Sequence, residues 1–341
     1  DLTNFILPNS ADFNLRRSKG DKRSTLIYDS TGVHANEMLA AGLHGMLTNP
    51  ASNWFSLRLK NANSEASEQA DVKDWLEDTA ETILSELSGP DVAFASHIHE
   101  YYLSLCSIGT ACMFIGEPAQ REGISFRSIH IDEIFVAENA DGLIDTVFRQ
   151  FKMTVRQIVQ KWGEDSLSPR IKRMYEKKEY DKDVELLHCV YPREDMTKGK
   201  KAATMLPIAS VYIDEKDQHV LAEGGFDEMP FMVSRWSKTT GEVFGRSPGQ
   251  TALPDIKMLQ EMMKTTIKAG QKIVDPPLLV PDDGVLGPVR TVPGGLNYYR
   301  ASSGARIEPL LTGGNIPISF QMMEDIRGRI RTTFFLDQLQ F

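Results

Sequence analysis

The segment 276–317 holds seven prolines and seven glycines, and this density constrains the chain more than any other feature. Proline removes a backbone donor and fixes φ, and glycine weakens helix and strand interiors alike. No helix runs through such a stretch; short strands joined by tight turns are what it permits. Helical periodicity flanks it on both sides. A helix is predicted from about 251 to Val274, with Pro254 tolerated in its first turn, and Asp275-Pro276-Pro277 ends it sharply. Pro317 precedes a last helix with a seam of Phe320, Met323, Ile326, Ile330 and Phe334. The result is two helices around a knob of strands and turns.

On the wheel of the first helix, Lys257, Glu261, Lys264, Lys268 and Lys272 fall on one narrow stripe. Apolar residues fill the opposite half: Met258, Leu259, Met262 and Ile273, then Ile256, Met263, Ile267 and Val274. A helix apolar over so wide an arc packs against more than one neighbour, and a ring of identical subunits is one way to supply them. The stripe reads either as a solvated helix face or as a wall facing phosphates or a neighbouring subunit. Arg327, Arg329 and Arg331 carry the same two readings, and the methionines at 258–263 and 322–323 read as core packing.

Upstream, residues 1–30 read as extended and polar. A helix follows Tyr28-Asp29-Ser30-Thr31-Gly32, with Leu39, Leu43, Met46 and Leu47 at helical spacing and Asn49-Pro50 as its stop. Residues 54–59 alternate as a short strand. A helix with an acidic start has Val72, Trp75, Leu76, Ile83, Leu84 and Leu87 as its expected buried stripe, and Gly89-Pro90 ends it. A more apolar helix covers about 91–107, and 113–115 reads as a strand. Strands over 126–136 and 144–151 are joined through Asn139-Ala140-Asp141-Gly142. Thr154-Val155-Arg156-Gln157 is a capping box opening a helix that Gly163 closes. A solvated helix is expected over 170–183. Strands follow at 184–192, 203–214 and 219–223, with a charged hairpin loop at 193–201.

The chain of 341 residues carries a net charge of -9, which argues against a protein whose main task is gripping nucleic acid. It does not argue against a wall past which DNA slides, because such a wall must not hold phosphates. The cysteines Cys106, Cys112 and Cys189 are odd in number and match no metal spacing, so they read as reduced packing residues. No apolar run approaches the roughly 18 residues of a membrane span, and no signal-peptide pattern opens the chain. Both ends lie in mid-pattern and are expected to be truncated.

Catalytic signatures are sparse. His97-Ile98-His99-Glu100 is the most metal-like group, but two histidines at i and i+2 point apart on a helix. Asp282-Asp283-Gly284 reads as a turn rather than a calcium loop. Neither a phosphate-binding loop of the G-x-x-x-x-G-K-[ST] type nor G-x-G-x-x-G after a strand occurs.

Three stretches carry a likeness to a known family. They are Ile27-Tyr28-Asp29-Ser30-Thr31-Gly32 through Asn49-Pro50 to Trp54-Phe55-Ser56-Leu57; Pro230-Phe231 through Arg235-Trp236 to Gly241-Glu242-Val243-Phe244-Gly245-Arg246-Ser247-Pro248; and Ala252-Leu253-Pro254-Asp255-Ile256 with Asp275-Pro276-Pro277. In this order and spacing the chain resembles the podovirus-type head-to-tail connector, the portal protein of tailed bacteriophages. The resemblance implies an α+β portal fold assembled as a ring of about twelve subunits at one capsid vertex. It implies a wing over 1–247, a first stem helix over 248–275, a β-rich clip over 276–316 and a second stem helix over 317–341. A tunnel loop, a later wing helix and a crown would lie beyond this chain. It further implies a structural, non-enzymatic virion protein without cofactor or metal, assembled in the host cytoplasm and away from membranes. Its expected partners are the capsid and scaffolding proteins, the terminase large subunit, a tail adaptor, and duplex DNA passing through for packaging and ejection. Lys257, Lys264, Lys268, Lys272, Arg327 and Arg331 are the expected channel or inter-subunit residues. Arg290, Tyr298, Tyr299, Arg300 and Arg306 are the expected docking surface of the clip. Two rivals stand beside this: a metal-dependent hydrolase using His97, His99 and Glu100, and a scaffold or adaptor without a channel.

Overall fold

The computed structural model describes residues 1–8, 27–59, 69–118, 123–193, 205–279, 308–309 and 316–338. Helices and antiparallel sheets share one α+β chain. The helices are α1 (Leu2–Phe5), α2 (Thr31–Leu47), α3 (Ala70–Leu87), α4 (Phe94–Ile108), α5 (Val155–Trp162), α6 (Pro169–Glu176), α7 (Pro248–Val274) and α8 (Ile316–Thr333). A three-stranded sheet has β1 (Thr110–Gly116) at its centre, flanked by β2 (Ser125–Ile129) and β8 (Phe231–Arg235). A five-stranded meander runs in chain order through β3 (Ile134–Glu138), β4 (Ile144–Thr154), β5 (Asp183–Pro192), β6 (Ile208–Asp214) and β7 (His219–Phe226).

Each layer buries one apolar face against the next. Cys112, Ile129, Ile131, Ile134, Val147, Val190 and Phe231 fill the space between the two sheets. On the meander, α5 and α6 lay Val155, Ile158 and Ile171 on Val184, Leu186 and Leu221. The Thr154 capping box forms: Thr154 Oγ1 accepts from the Gln157 amide and Gln157 Oε1 from the Thr154 amide, and Gly163 closes the helix at φ +79. On the other side of the molecule, α7 and α8 pack together through Ile256, Leu259, Met323, Ile326 and Ile330, and Ile6, Ala35, Leu39, Cys106 and Phe334 complete that core. Asp255 pairs with Arg329 (3.2 Å), while a two-residue antiparallel ribbon joins Leu278–Leu279 (β9) to Glu308–Pro309 (β10) beyond the other helix ends. The helix pair is therefore antiparallel, with the Pro/Gly-rich segment inserted at its tip.

The stretch from Gly241 to Pro248 has a structural reason to be what it is. It passes against the end of α4 so closely that backbone meets backbone. A Cβ on Gly245 would lie 2.3 Å from the Gly109 carbonyl oxygen, and one on Gly109, itself at φ +95, would lie 2.5 Å from that of Gly245. Ser247 Oγ donates to the Ser107 carbonyl (2.7 Å) and accepts from the Gln250 amide (3.0 Å), so one side chain fixes the joint and caps α7. Pro248 follows at the first helical position, where no donor is missed.

Several expectations need correction. Residues 1–30 are not uniformly extended: Leu2–Phe5 is helical and Ile6 is fully buried, because the α7–α8 core needs a lid. Residues 53–59 lie outside any strand, with no ladder partner among the described residues. The single strand expected over 126–136 is broken by a 3-10 turn at Ile131–Glu133, and its halves join different sheets. The solvated helix expected over 170–183 is Pro169–Glu176, and its Ile171 is fully buried. On α3 the expected stripe is covered only in part: Val72, Leu76, Leu84 and Leu87 are half-buried, while Trp75 is 61% exposed and Ile83 is exposed too. The long helix begins at Pro248, which places Pro254 in its second turn. The hairpin loop expected at 193–201 lies, beyond Arg193, outside the described residues. Cys106, Cys112 and Cys189 are buried in the core, and burial pushes the first two thiols up to about 12.

Gly245→Ala is expected to destabilise the fold by about 2–4 kcal/mol, since two backbones must separate to admit one methyl. A shift of the urea midpoint at unchanged slope reads this out. Gly270→Ala, on an open helix surface with nothing within 4 Å, should not lower it.

Candidate functional site

The antiparallel pair α7–α8 and its insert are held to the rest of the chain by one buried polar clamp. Gln260, almost fully buried on α7, accepts at Oε1 from the amides of Tyr28 (2.6 Å) and Asp29 (2.9 Å) and donates from Nε2 to the Asp29 carbonyl (2.7 Å). From α8, Arg327 donates Nε (3.0 Å) and Nη2 (2.8 Å) to Asp29 Oδ2, while Asp29 Oδ1 caps α2 by accepting from the Thr31 amide (2.9 Å). Burial alone would raise the Asp29 carboxyl, but the bonds from Thr31 and the Arg327 guanidinium outweigh it and hold it below its ordinary range.

The expected basic residues are placed as follows. Lys257 Nζ pairs with Asp1 (2.7 Å). Lys264 pairs with Glu261 (3.4 Å), and its Nζ lies 6.0 Å from the centre of the Tyr28 ring. Lys268 and Lys272 are exposed and have no ion pair among the described residues. At four-residue spacing, Lys264, Lys268 and Lys272 span about 12 Å along one side of α7. Arg327 is committed to Asp29 and Glu324, and Arg331 to Glu324 (3.3 Å). Arg290, Tyr298, Tyr299, Arg300, Arg306 and the Asp282 turn lie outside the described residues. Sequence reasoning missed the clamp; its only signals were an acidic residue just before a helix start and a glutamine inside an apolar stripe.

Both helices also expose large apolar side chains along their outer part. On α7 these are Met258, Ile267, Ile273 and Val274, the last 87% exposed, and on α8 they are Ile318, Phe320 and Met322. At about 100° per residue Met258 and Ile267 point to opposite sides of α7, as do Ile318 and Phe320 on α8, so the helix pair leaves apolar side chains uncovered on more than one side.

The histidine group on α4 does not converge. His97 Nδ1 faces the Ser128 amide (3.4 Å) and Glu100 (3.9 Å), whereas the His99 ring lies 6.0 Å from His44. Among the described residues no three His, Cys, Asp or Glu side chains gather as metal ligands. No described helix is long and apolar enough to cross a membrane.

The whole chain, residues 1–341, matches the family described as bacteriophage head to tail connecting protein. It is 32% identical over 343 residues to the portal protein of Salmonella phage epsilon15, covering 99% of this chain and 61% of that protein. It is 28% identical over 342 residues to the probable portal protein of Bordetella phage BPP-1, again covering 99% and 61%. The chain thus spans about three fifths of the length of these relatives.

The clamp sets a pH dependence. A carboxyl depressed in the folded state contributes stability above its unfolded pKa of about 3.9, and this is lost as pH falls through the folded value. Asp29→Asn should flatten the loss of stability below about pH 4 measured by acid titration of the circular dichroism. Arg327→Met, which strands the buried carboxylate, should cost about 3 kcal/mol at neutral pH, more than the double variant with Asp29→Asn.

Proposed function

Because the chain belongs to the bacteriophage head-to-tail connecting protein family, we propose that it is a portal subunit. In this reading about twelve copies close a ring at one capsid vertex, and DNA passes through its channel during packaging and ejection. Residues 1–247 form the wing, 248–275 the first stem helix, 276–316 the clip and 317–341 the second stem helix. The role is structural, without reaction chemistry of its own.

The observation that carries the reading is the large apolar side chains left exposed on more than one side of the α7–α8 pair. Each costs free energy in water, at about 25 cal/mol per Å² of apolar surface, and a neighbouring copy on each side of the helix pair would cover them. Closure into a ring leaves no face of this kind unpaired. The same logic applies to the β9–β10 ribbon, whose outer edges have no strand partner among the described residues and would pair in a closed clip.

Lys264, Lys268 and Lys272 line up where a channel wall or a subunit seam would need cations. Lys257 and Arg331 stand second, since each already has a carboxylate partner. Arg327 acts chiefly within the subunit, as the clamp on Asp29. The clip residues Arg290, Tyr298, Tyr299, Arg300 and Arg306 would present the docking surface for the terminase and then the tail adaptor, with capsid and scaffolding proteins contacting the wing. The finished ring would reside in the virion after assembly in the host cytoplasm.

Class averages by electron microscopy, with the native mass, test the ring. A closed ring with a central hole wide enough for duplex DNA is expected; a full-length protein that stays monomeric would overturn the reading. Ile267→Asp combined with Phe320→Asp should hold the protein as a folded monomer, because each charge would be buried at a subunit seam. Lys264, Lys268 and Lys272 changed together to Glu should leave the circular dichroism unchanged and impair packaging by about tenfold or more in a packaging assay. Normal packaging by that variant would sink the role of the stripe.

A further inference from the structure

Between the two sheets, away from the helix pair, lies a pocket of about 320 Å³. Three cations reach it from three elements: Arg127 from β2, Arg149 from β4 and Lys161 from α5. Glu133 takes up Arg149 at 2.7 Å, and Glu117 is the carboxylate on the pocket wall. Arg127 and Lys161 have no carboxylate within pairing distance among the described residues. In a chain of net charge -9, this local excess of positive charge has to be accounted for.

The cations press on one another. Burial and the nearby Arg149 hold Arg127 below its ordinary value. Burial, then Arg127 and Arg149, bring Lys161 down to about 8. His188 is lowered to about 3 by burial and by Lys161 and Arg149, so it stands neutral and adds no charge. Like charges gathered in a partly dry pocket are unfavourable until an anion enters it.

The remaining walls are aromatic. The His188 ring stacks on Tyr212 at 3.9 Å and 6°, fixed by a bond between His188 Nε2 and Ser210 Oγ (2.9 Å). Lys161 Nζ sits 4.3 Å from the centre of the Tyr212 ring, and the Arg149 guanidinium 4.4 Å from that of Phe151. Phe114 and Phe126 add two more rings to the lining, beside Pro118, Ser125 and Met153. Flat apolar walls beside a cluster of cations suit a ligand that joins an aromatic ring to an anion, and the volume is at the lower end of small-ligand sites.

We propose that this pocket binds a nucleoside monophosphate unit, with the phosphate between Arg127 and Lys161 and the base against the aromatic wall. The unit is either a free nucleotide or the 5′-phosphorylated end of a DNA strand. The assignment concerns a surface outside the helix pair and does not depend on ring formation.

Isothermal titration of the purified full chain with dTMP, thymidine, inorganic phosphate and short single strands with and without a 5′-phosphate tests it. One saturable dTMP site per chain is expected, with thymidine and inorganic phosphate each at least about tenfold weaker. Arg127→Ala with Lys161→Gln should weaken dTMP by about tenfold or more while the circular dichroism is unchanged, and Lys161→Arg should restore most of it. Lys161→Gln alone makes the same point if the double variant loses its fold. Affinity for dTMP should fall between pH 7 and pH 9 as Lys161 gives up its proton. Tighter binding of the 5′-phosphorylated strand than of dTMP identifies a strand end as the source; the reverse identifies the free nucleotide. Absence of saturable dTMP binding, equal binding of inorganic phosphate, or unchanged binding by the folded variants would overturn the assignment.

Discussion

The chain depends on one buried carboxylate. Asp29 takes two bonds from Arg327 on the last helix, one from the amide that opens α2, and shares its backbone with Gln260 on the long helix. Segments almost 300 residues apart in sequence meet there. A carboxylate so deep is tolerable only when its acceptor positions are filled, and losing one partner leaves the desolvation cost unmatched. The apolar core around Ile256, Leu259, Met323 and Ile330 supplies the bulk of the attraction between these helices. The clamp supplies the register, because a guanidinium fork and an amide can satisfy Asp29 in only one relative position of α2, α7 and α8.

A second joint works by closeness rather than charge. At Gly109 and Gly245 two backbones touch, and Ser247 ties the contact to the start of α7. The three-stranded sheet, α4 and the long helix are thereby held at fixed distances. The two joints sit at different levels of the α7–α8 pair: Ser247 at its root, Asp29 further along. Beyond them, among the described residues, the outer part of α7 exposes Ile267, Ile273 and Val274 together with Lys268 and Lys272.

Much of this was legible in the sequence where local chemistry decides. The capping box at Thr154, the stop after Val274 and the α8 seam from Met323 to Phe334, though not its exposed Phe320, follow from spacing and from the properties of proline and glycine, which act within a turn or two of the chain. The failures are of another kind. The 3-10 turn at Ile131–Glu133 sends one apolar run into two sheets, and periodicity does not reveal which sheet a strand joins. The stripe on α3 has the right spacing for burial yet is covered only in part, with Trp75 and Ile83 exposed, since amphipathicity shows that a helix needs cover but not how complete that cover is. The Asp29–Arg327 bond is non-local, and an acidic residue before a helix start does not say which cation it will meet. The pocket of Arg127, Arg149 and Lys161 is of the same type, assembled by pairings across β1–β2 and β4–β5 that single residues do not announce.

The ribbon at Leu278–Leu279 and Glu308–Pro309 separates the length of the insert from everything else. Once two antiparallel pairs fix the distance between its ends, the helices below register only that distance and not how much chain lies between. Extra residues then add loop-closure entropy that grows with the logarithm of length, about 0.6 kcal/mol for each doubling. A change in the number of residues between the two strands therefore reaches the helix pair only through the ends that the ribbon fixes.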